Sequence, residues 1–425
     1  MDRIVGWMEN YLSGTMARFS EQRHLRAIRD GVISALPFII VGSFFLILAF
    51  PPLPKDWAIS EWAAKNALQI LLPYRLTMYI MSLYIAFGVG YNLAKSYKLD
   101  PLSGAQVSVC ALLLTLTPEL LKDGYALPMS NLGGSGLFVT MIVSIVSVEI
   151  LRFCKTKNIT IKMPEQVPPS VARSFEALIP VAAVIILMSL ITYVFKIDLH
   201  SEIGKLIAPI VTAGDSIWGV LIPGFLICFL WFFGIHGDSV VGPVVRPLWE
   251  LYLAKNAEAV ANHSHHLPHV APETFFQWFI WIGGSGATLG LVLAMLVFSK
   301  SKYMKAVGRA SIIPSIFNIN EPVIFGVPIV LNPILAIPFI LTPIINICLT
   351  YFLTVVGWVT PTFVQPPWTL PAPIGAYLAT GGDIHAVFLT LINIAISFFV
   401  YLPFFKMYDR KMAKMETDEN DNQAA

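Results

Sequence analysis

The sequence predicts an all-α polytopic membrane protein, and three observations carry that reading. Over 425 residues, 56% are hydrophobic and 13% charged, with a mean hydropathy of +0.70, whereas an ordinary soluble domain carries about 25% charged residues. Apolar runs of about 17–25 residues, long enough to cross a bilayer, recur along the chain. Of its 28 Lys and Arg residues, 20 fall in five short segments, 1–29, 95–98, 152–173, 300–309 and 406–414. These alternate with the apolar runs as inside loops, so both termini are expected in the cytoplasm.

Residues 1–28 place Ile4, Trp7, Met8, Tyr11, Leu12 and Phe19 at the spacing of an amphipathic interfacial helix. Spans are expected at about 31–50, 73–94, 101–118, 137–153, 175–195 and 217–234. The first lacks an A-x-A-like exit and reads as a span, not a cleaved signal peptide. The Lys- and Pro-rich stretch 154–172 suggests a cytoplasmic linker, dividing an N-terminal bundle (29–173) from a C-terminal half (174–405). From Gly234 to Trp249 the sequence Gly-Ile-His-Gly-Asp, with Pro243 and Pro247, suits a re-entrant hairpin. Such backbone is tolerated at membrane depth only when buried in protein or lining a cavity. Residues 279–299 read as a span, 310–328 as a second broken segment, and 330–357 and 382–402 as further spans. The charged tail 406–425 reads as disordered. Gly-Gly-Ser-Gly occurs at 133–136 and 283–286, as a trace of internal repetition or as two independent turns.

Several function classes drop out. There is no G-x-x-x-x-G-K-[ST] loop for direct nucleotide use, and nothing in the charge distribution points to nucleic acid. Cys110, Cys154, Cys228 and Cys348 lack metal or disulfide spacing. His263, His265, His266 and His269 sit in the polar stretch 254–273, read as a solvated external loop because no carboxylate or cysteine completes a familiar ligand set. No cofactor or metal is expected.

Two positions stand out as candidate chemistry. Glu321 is the one charged residue among the 73 from Ala310 to Gly382, which also hold eleven prolines between Pro314 and Pro373. An ionised side chain at bilayer depth costs about 2.5–3.5 kcal/mol on insertion scales, so it faces water, a partner or a substrate. The competing role is a structural ion pair with Arg246 or Arg75. Asn318 and Asn320 beside it offer amide donors and acceptors suited to sugar hydroxyls. His236 lies between glycines at the end of an apolar run, either as a site residue or as a helix-packing hydrogen bonder. Trp368, in Gln365-Pro366-Pro367-Trp368, either stacks on a pyranose face or belongs to an interfacial aromatic belt.

Gln22-Arg23-His24-Leu25-Arg26-Ala27-Ile28-Arg29-Asp30-Gly31, Gly234-Ile235-His236-Gly237 and Asn318-Ile319-Asn320-Glu321-Pro322-Val323-Ile324-Phe325-Gly326, set in this architecture over nearly the whole chain, resemble the enzyme IIC permeases of the bacterial phosphotransferase system. The lactose/cellobiose/diacetylchitobiose group is the nearest match. The resemblance implies an inner-membrane homodimer of ten-span protomers with two re-entrant hairpins, working as an elevator in which a transport domain moves against a dimerisation domain. It implies that the chain is not an enzyme on its own. A β-linked disaccharide such as cellobiose or diacetylchitobiose would be carried inward and phosphorylated at its 6-hydroxyl by a separate IIB protein, supplied in turn by IIA, HPr and enzyme I. The tail lacks the phosphocysteine loop or phosphohistidine domain of a fused partner. Glu321 and His236 match the family motifs, which implies sugar binding near the reactive hydroxyl for both. Glu321 is then the candidate base, for a gain of about 10²–10⁴-fold, and His236 the partner that positions the hydroxyl or the incoming phosphoryl group. The basic segment 300–309 and the 154–172 linker are expected IIB docking surfaces. A proton- or sodium-coupled sugar transporter, with Glu321 as relay, is the alternative; a purely structural or sensory membrane protein is a third class.

Overall fold

The computed structural model describes residues 22–424 except 55, 123, 165, 265, 328 and 331. The amphipathic helix expected over 1–28 lies mostly outside the described residues. Where description begins, Arg23 already opens the first long helix, α1 (Arg23–Ala49), whose Gln22 cap accepts from the Leu25 N–H. After short helical pieces at Ala58–Lys65, Ala67–Ile70 and Leu72–Arg75 come α2 (Met81–Ser96), α3 (Pro101–Leu114), α4 (Leu137–Thr156), α5 (Pro169–Ser189), α6 (Leu199–Gly214), α7 (Ile217–Phe232) and α8 (Gly237–Ala261). The remainder comprises α9 (Leu289–Phe298), α10 (Lys302–Ile316), α11 (Glu321–Gly326), α12 (Pro333–Val355), α13 (Ala372–Ala379) and α14 (Ile384–Ala424). Among the described residues five helices are long and apolar enough to cross a membrane, or seven if each of two bent pairs counts as one span. An exposed two-stranded hairpin, Glu119–Leu121 with Gly124–Ala126, joins α3 to α4.

Helices α1 to α5 form one bundle, in which small residues let the backbones approach. A Cβ on Gly31 of α1 would fall 2.5 Å from Val89 Cγ2 of α2, and one on Gly104 of α3 would fall 2.7 Å from the Gly90 carbonyl oxygen. The last of the five, α5, packs on α3 and α4. The second bundle gathers α7, α9, α12 and α14 around Trp278, Phe275, Phe279, Phe339, Tyr401 and Phe405, all buried. Helix α8 belongs to both: Trp249 and Tyr252 join this second core, while Leu253, Ala254 and Ala257 pack against residues of α1.

Three expected segments take a different form. In place of a re-entrant hairpin over 234–249, the chain turns once at Gly234 (φ +75°) and α8 then runs unbroken through Pro243 and Pro247. Each proline removes one intrahelical bond, a loss that membrane helices surrounded by other helices absorb. The 279–299 span is broken as well: a π-turn at Phe276–Ile280 leads into Gly283, Gly284, Gly286 and Ala287, all at positive φ, and α9 is only ten residues, about 15 Å long. The other Gly-Gly-Ser-Gly, 133–136, contains no residue at positive φ, so the two copies do not share a backbone conformation. The tail, read as disordered, continues α14 as a helix to Ala424. Its Asp409 accepts from Lys300 N, Ser301 N and Ser299 Oγ, and its Glu416 from Lys302 N, Tyr303 N and Ser301 Oγ. Those amides open α10, where backbone N–H groups have no intrahelical partner and attract carboxylates. Composition alone gives no sign that such charges are structural.

Candidate functional site

Both residues singled out from the sequence stand at helix interruptions. After α7 ends, the Gly234 turn presents His236 as the N-cap of α8. A Cβ on Gly237 would fall 2.0 Å from the Ile227 carbonyl oxygen, so this glycine is needed for α8 to leave α7 so closely. His236 Nδ1 accepts from the Ser239 backbone N–H at 3.2 Å, with Ser239 Oγ 3.0 Å away. That bond places the ring proton on Nε2, since a nitrogen that accepts cannot also carry hydrogen. The Trp231 ring lies 4.6 Å away, centroid to centroid.

The second interruption separates α10 from α11. Asn318 has φ +61°, the left-handed region that asparagine tolerates better than most residues. Its Oδ1 accepts from Gly283 N at 3.0 Å, while Nδ2 donates to the carbonyls of Trp368 (3.1 Å) and Leu370 (3.0 Å). Three loops are thereby tied together through one amide. Asn320 Nδ2 donates to the Ser285 carbonyl at 2.8 Å. Gly284 makes room for that contact, because a Cβ there would fall 2.3 Å from Asn320 Cγ. Glu321 follows as the first residue of α11, with an exposed side chain.

His236, Asn318, Asn320, Glu321 and Trp368 all line one cavity of about 370 Å³, within the range of ligand pockets. Indole rings of Trp231, Trp249, Trp281 and Trp368 supply much of its apolar wall. An ionic cluster that sequence reading did not assemble lines the same cavity. Arg246 Nη2 lies 3.1 Å from Asp238 Oδ2, its Nη1 lies 3.7 Å from Glu273 Oε1, and Glu273 Oε2 accepts from Gln365 Nε2 at 2.9 Å. Glu321 makes no hydrogen bond or ion pair with the described residues, and Arg246, proposed above as its structural partner, is committed elsewhere. A second cavity of about 600 Å³ shares Asp238, Arg246, Glu273, Gln277 and Trp368 with the first and runs along α1 from Arg29 and Asp30 to Ile40.

Asp238 and Arg246 stand eight residues apart on α8, just over two turns, a spacing visible in the sequence though not used. Glu273 was hidden in the stretch read as a solvated external loop. In fact 254–261 belongs to α8, Asn256 is buried and bonded to the carbonyls of His269 and Thr362, and Glu273 is itself buried. Of the clustered histidines, His263 and His266 are exposed, while His269 Nδ1 pairs with Asp215 at 3.1 Å. The long apolar run after Glu273 is the signal that the chain has already re-entered the core there.

Comparison with known proteins supplies the family. The model of the phosphotransferase system EIIC family matches residues 29–343. The chain is 41% identical to the cellobiose-specific EIIC component of Geobacillus stearothermophilus, covering 98% of this chain and 96% of that protein. It is 40% identical to the lichenan permease IIC component of Bacillus subtilis (strain 168), with the same coverage. The crystal structure of the transporter ChbC, the IIC component from the N,N'-diacetylchitobiose-specific phosphotransferase system, superposes with a TM-score of 0.90 at 39% identity, over 97% of this chain and 99% of that one. The chain therefore belongs to the EIIC family of the phosphotransferase system, a family of multi-pass membrane sugar permeases.

Proposed function

We propose that the cavity between α7, α8, α10 and α11 binds the reacting hexose of a β-linked disaccharide, cellobiose, diacetylchitobiose or a close relative, for phosphorylation at its 6-hydroxyl by a separate phosphorylated IIB protein. The observation that carries this reading is the charge pairing. Asp238, Arg246 and Glu273 satisfy one another, whereas Glu321 enters the same cavity without a partner among the described residues. Glu321 accepts the proton of the 6-hydroxyl as its oxygen attacks phosphorus and the bond from phosphorus to the IIB residue breaks. His236, with its proton on Nε2, donates to the hydroxyl oxygen or to the arriving phosphoryl group. Work of this kind is mainly positioning. Trp368 stacks on the sugar face. The two asparagines take a supporting role: both amide donors and the oxygen of Asn318 are taken up by backbone groups, and Asn320 Nδ2 gives one N–H to Ser285, which leaves Asn320 Oδ1 and its second N–H to meet sugar.

The finer architecture belongs to the same proposal: a homodimer of ten-span protomers with cytoplasmic termini, moving as an elevator. The packing of α5 on α3 and α4 supports extending the dimerisation-side bundle beyond residue 173, and the transport side then begins near α7. IIB receives its phosphoryl group through enzyme I, HPr and IIA.

The test is uptake in vesicles of radiolabelled cellobiose, diacetylchitobiose and lactose, with and without phosphorylated IIB, for the unmodified chain and Glu321→Gln. Sugar phosphate forms only with IIB, and the substitution lowers its formation about 10²–10⁴-fold. Uptake that ignores IIB and collapses with an uncoupler would assign Glu321 to proton relay instead.

A further inference from the structure

We propose that the site is a charge filter, which admits uncharged glycosides and expels the anionic 6-phosphate made from them. The inference rests on the functional reading above. In the site cavity three carboxylates, Asp238, Glu273 and Glu321, face one guanidinium, Arg246. His236 Nδ1 accepts from Ser239 N, so that nitrogen presents no proton to a phosphate. Among the described residues that line it, the one cation, Arg246, is held between Asp238 at 3.1 Å and Glu273 at 3.7 Å, so none of them offers an unpaired cation to a phosphate. The adjoining cavity repeats the imbalance. Its second cation, Arg29, is paired with Asp30 at 3.0 Å, while Asp238, Arg246 and Glu273 form the shared wall.

A neutral disaccharide meets this arrangement as a set of hydrogen-bond acceptors and indole faces. Once the O6–P bond has formed, the ligand carries a charge of about −1.5 to −2 at neutral pH; Glu321 then holds the hydroxyl proton, and Asp238 and Glu273 still outnumber Arg246 by one negative charge. Repulsion at such short range, in a site less polar than water, outweighs the few contacts that a phosphate adds. Glu321 sharpens the effect when it gives up the proton it received. Phosphorylation itself thus turns a bound ligand into a rejected one, and release needs no separate trigger. The same charges exclude acidic disaccharides as substrates.

The experiment measures dissociation constants of the purified chain for cellobiose or diacetylchitobiose and for the corresponding 6-phosphate, at about 20 mM and about 500 mM salt, a range over which the Debye length falls from about 20 Å to about 4 Å, the scale of the cavity. A disaccharide ending in a uronic acid is measured alongside, as an anion without the bulk of phosphate. At low salt the neutral sugar binds on the order of a hundredfold more tightly than either anion, and the ratio falls severalfold at high salt. Glu273→Gln and Asp238→Asn each narrow the ratio by about tenfold, the latter also releasing Arg246. A 6-phosphate that binds as well as the neutral sugar, or a preference indifferent to salt and seen with the phosphate but not the uronic acid, would overturn the filter and leave a steric account. The salt series on the unmodified chain decides the matter even if a variant does not fold. Failure of the neutral sugars themselves to bind would refute the functional reading, a distinct result.

Discussion

Replacing Asn318 separates two roles that the sequence alone could not distinguish. If its amide contacts sugar, Asn318→Ala weakens binding and leaves the fold intact. The structure assigns it instead three hydrogen bonds of 3.0–3.1 Å to the backbone of residues 283, 368 and 370. Each is worth about 0.5–1.5 kcal/mol net, and alanine at φ +61° adds about 1 kcal/mol of left-handed strain. Because Asn318 is half-buried, water will replace part of the loss, and the expected cost is about 2–4 kcal/mol. Asn318→Gly keeps the backbone conformation while losing the bonds, so it should recover the strain component alone. Asn318→Asp keeps the bond from Gly283 N but turns lone pairs toward two carbonyls and should be the worst of the three. Thermal melting in detergent, followed by disaccharide titration on the folded fraction, gives both readouts. A melting point unchanged in Asn318→Ala with weakened binding would refute the scaffold role and restore the direct contact.

Gly284→Ala should displace Asn320, whose Cγ lies 2.3 Å from the added Cβ, at a cost of about 1–3 kcal/mol; phosphorylation should fall with it, while loss of neither stability nor activity would show that the 283–286 turn is adaptable. Asp409→Asn combined with Glu416→Gln removes charged caps from the start of α10 and should lower stability by about 1–2 kcal/mol. Amide exchange at 300–304 should rise in parallel, and protection that stays native would contradict the capping role.

The helical membrane architecture was legible because apolar run length and Lys/Arg placement report it directly, and they recovered α1, α4, α5, α12 and the bilayer part of α14. What they missed has physical causes. A hydropathy window cannot see that Gly283, Gly284, Gly286 and Ala287 adopt positive φ, so 279–299 read as a single span. Nor can prolines distinguish a hairpin from a helix whose neighbours tolerate the lost bonds, as Pro243 and Pro247 show. For the candidate site, rarity picked out two residues that the fold brings together: Glu321 is isolated by charge and His236 by flanking glycines, and both line one cavity. Asp238, Arg246 and Glu273 escaped because a cluster of mutually paired charges is a property of folded geometry, with Glu273 lying 27 residues beyond Arg246 in a stretch that looked solvated.

The grouping of contacts bears on how access to the site can change. His236 and Glu321 are far apart in sequence, yet each is fixed by backbone within the C-terminal bundle, so the pair can travel together without being disassembled. The wall of the larger cavity that runs along α1 belongs to the other bundle. Between the two, Gln365 N donates to Ser43 Oγ of α1 at 3.0 Å, a buried contact beside the site. A bifunctional thiol reagent joining Ser43→Cys to Gln365→Cys, with the four native cysteines replaced, should therefore block uptake while disaccharide binding persists. If the protein instead exchanges access through small movements within the C-terminal bundle, the crosslinked chain will transport at its normal rate. Full crosslinking with undiminished uptake would rule out a sliding movement across this contact.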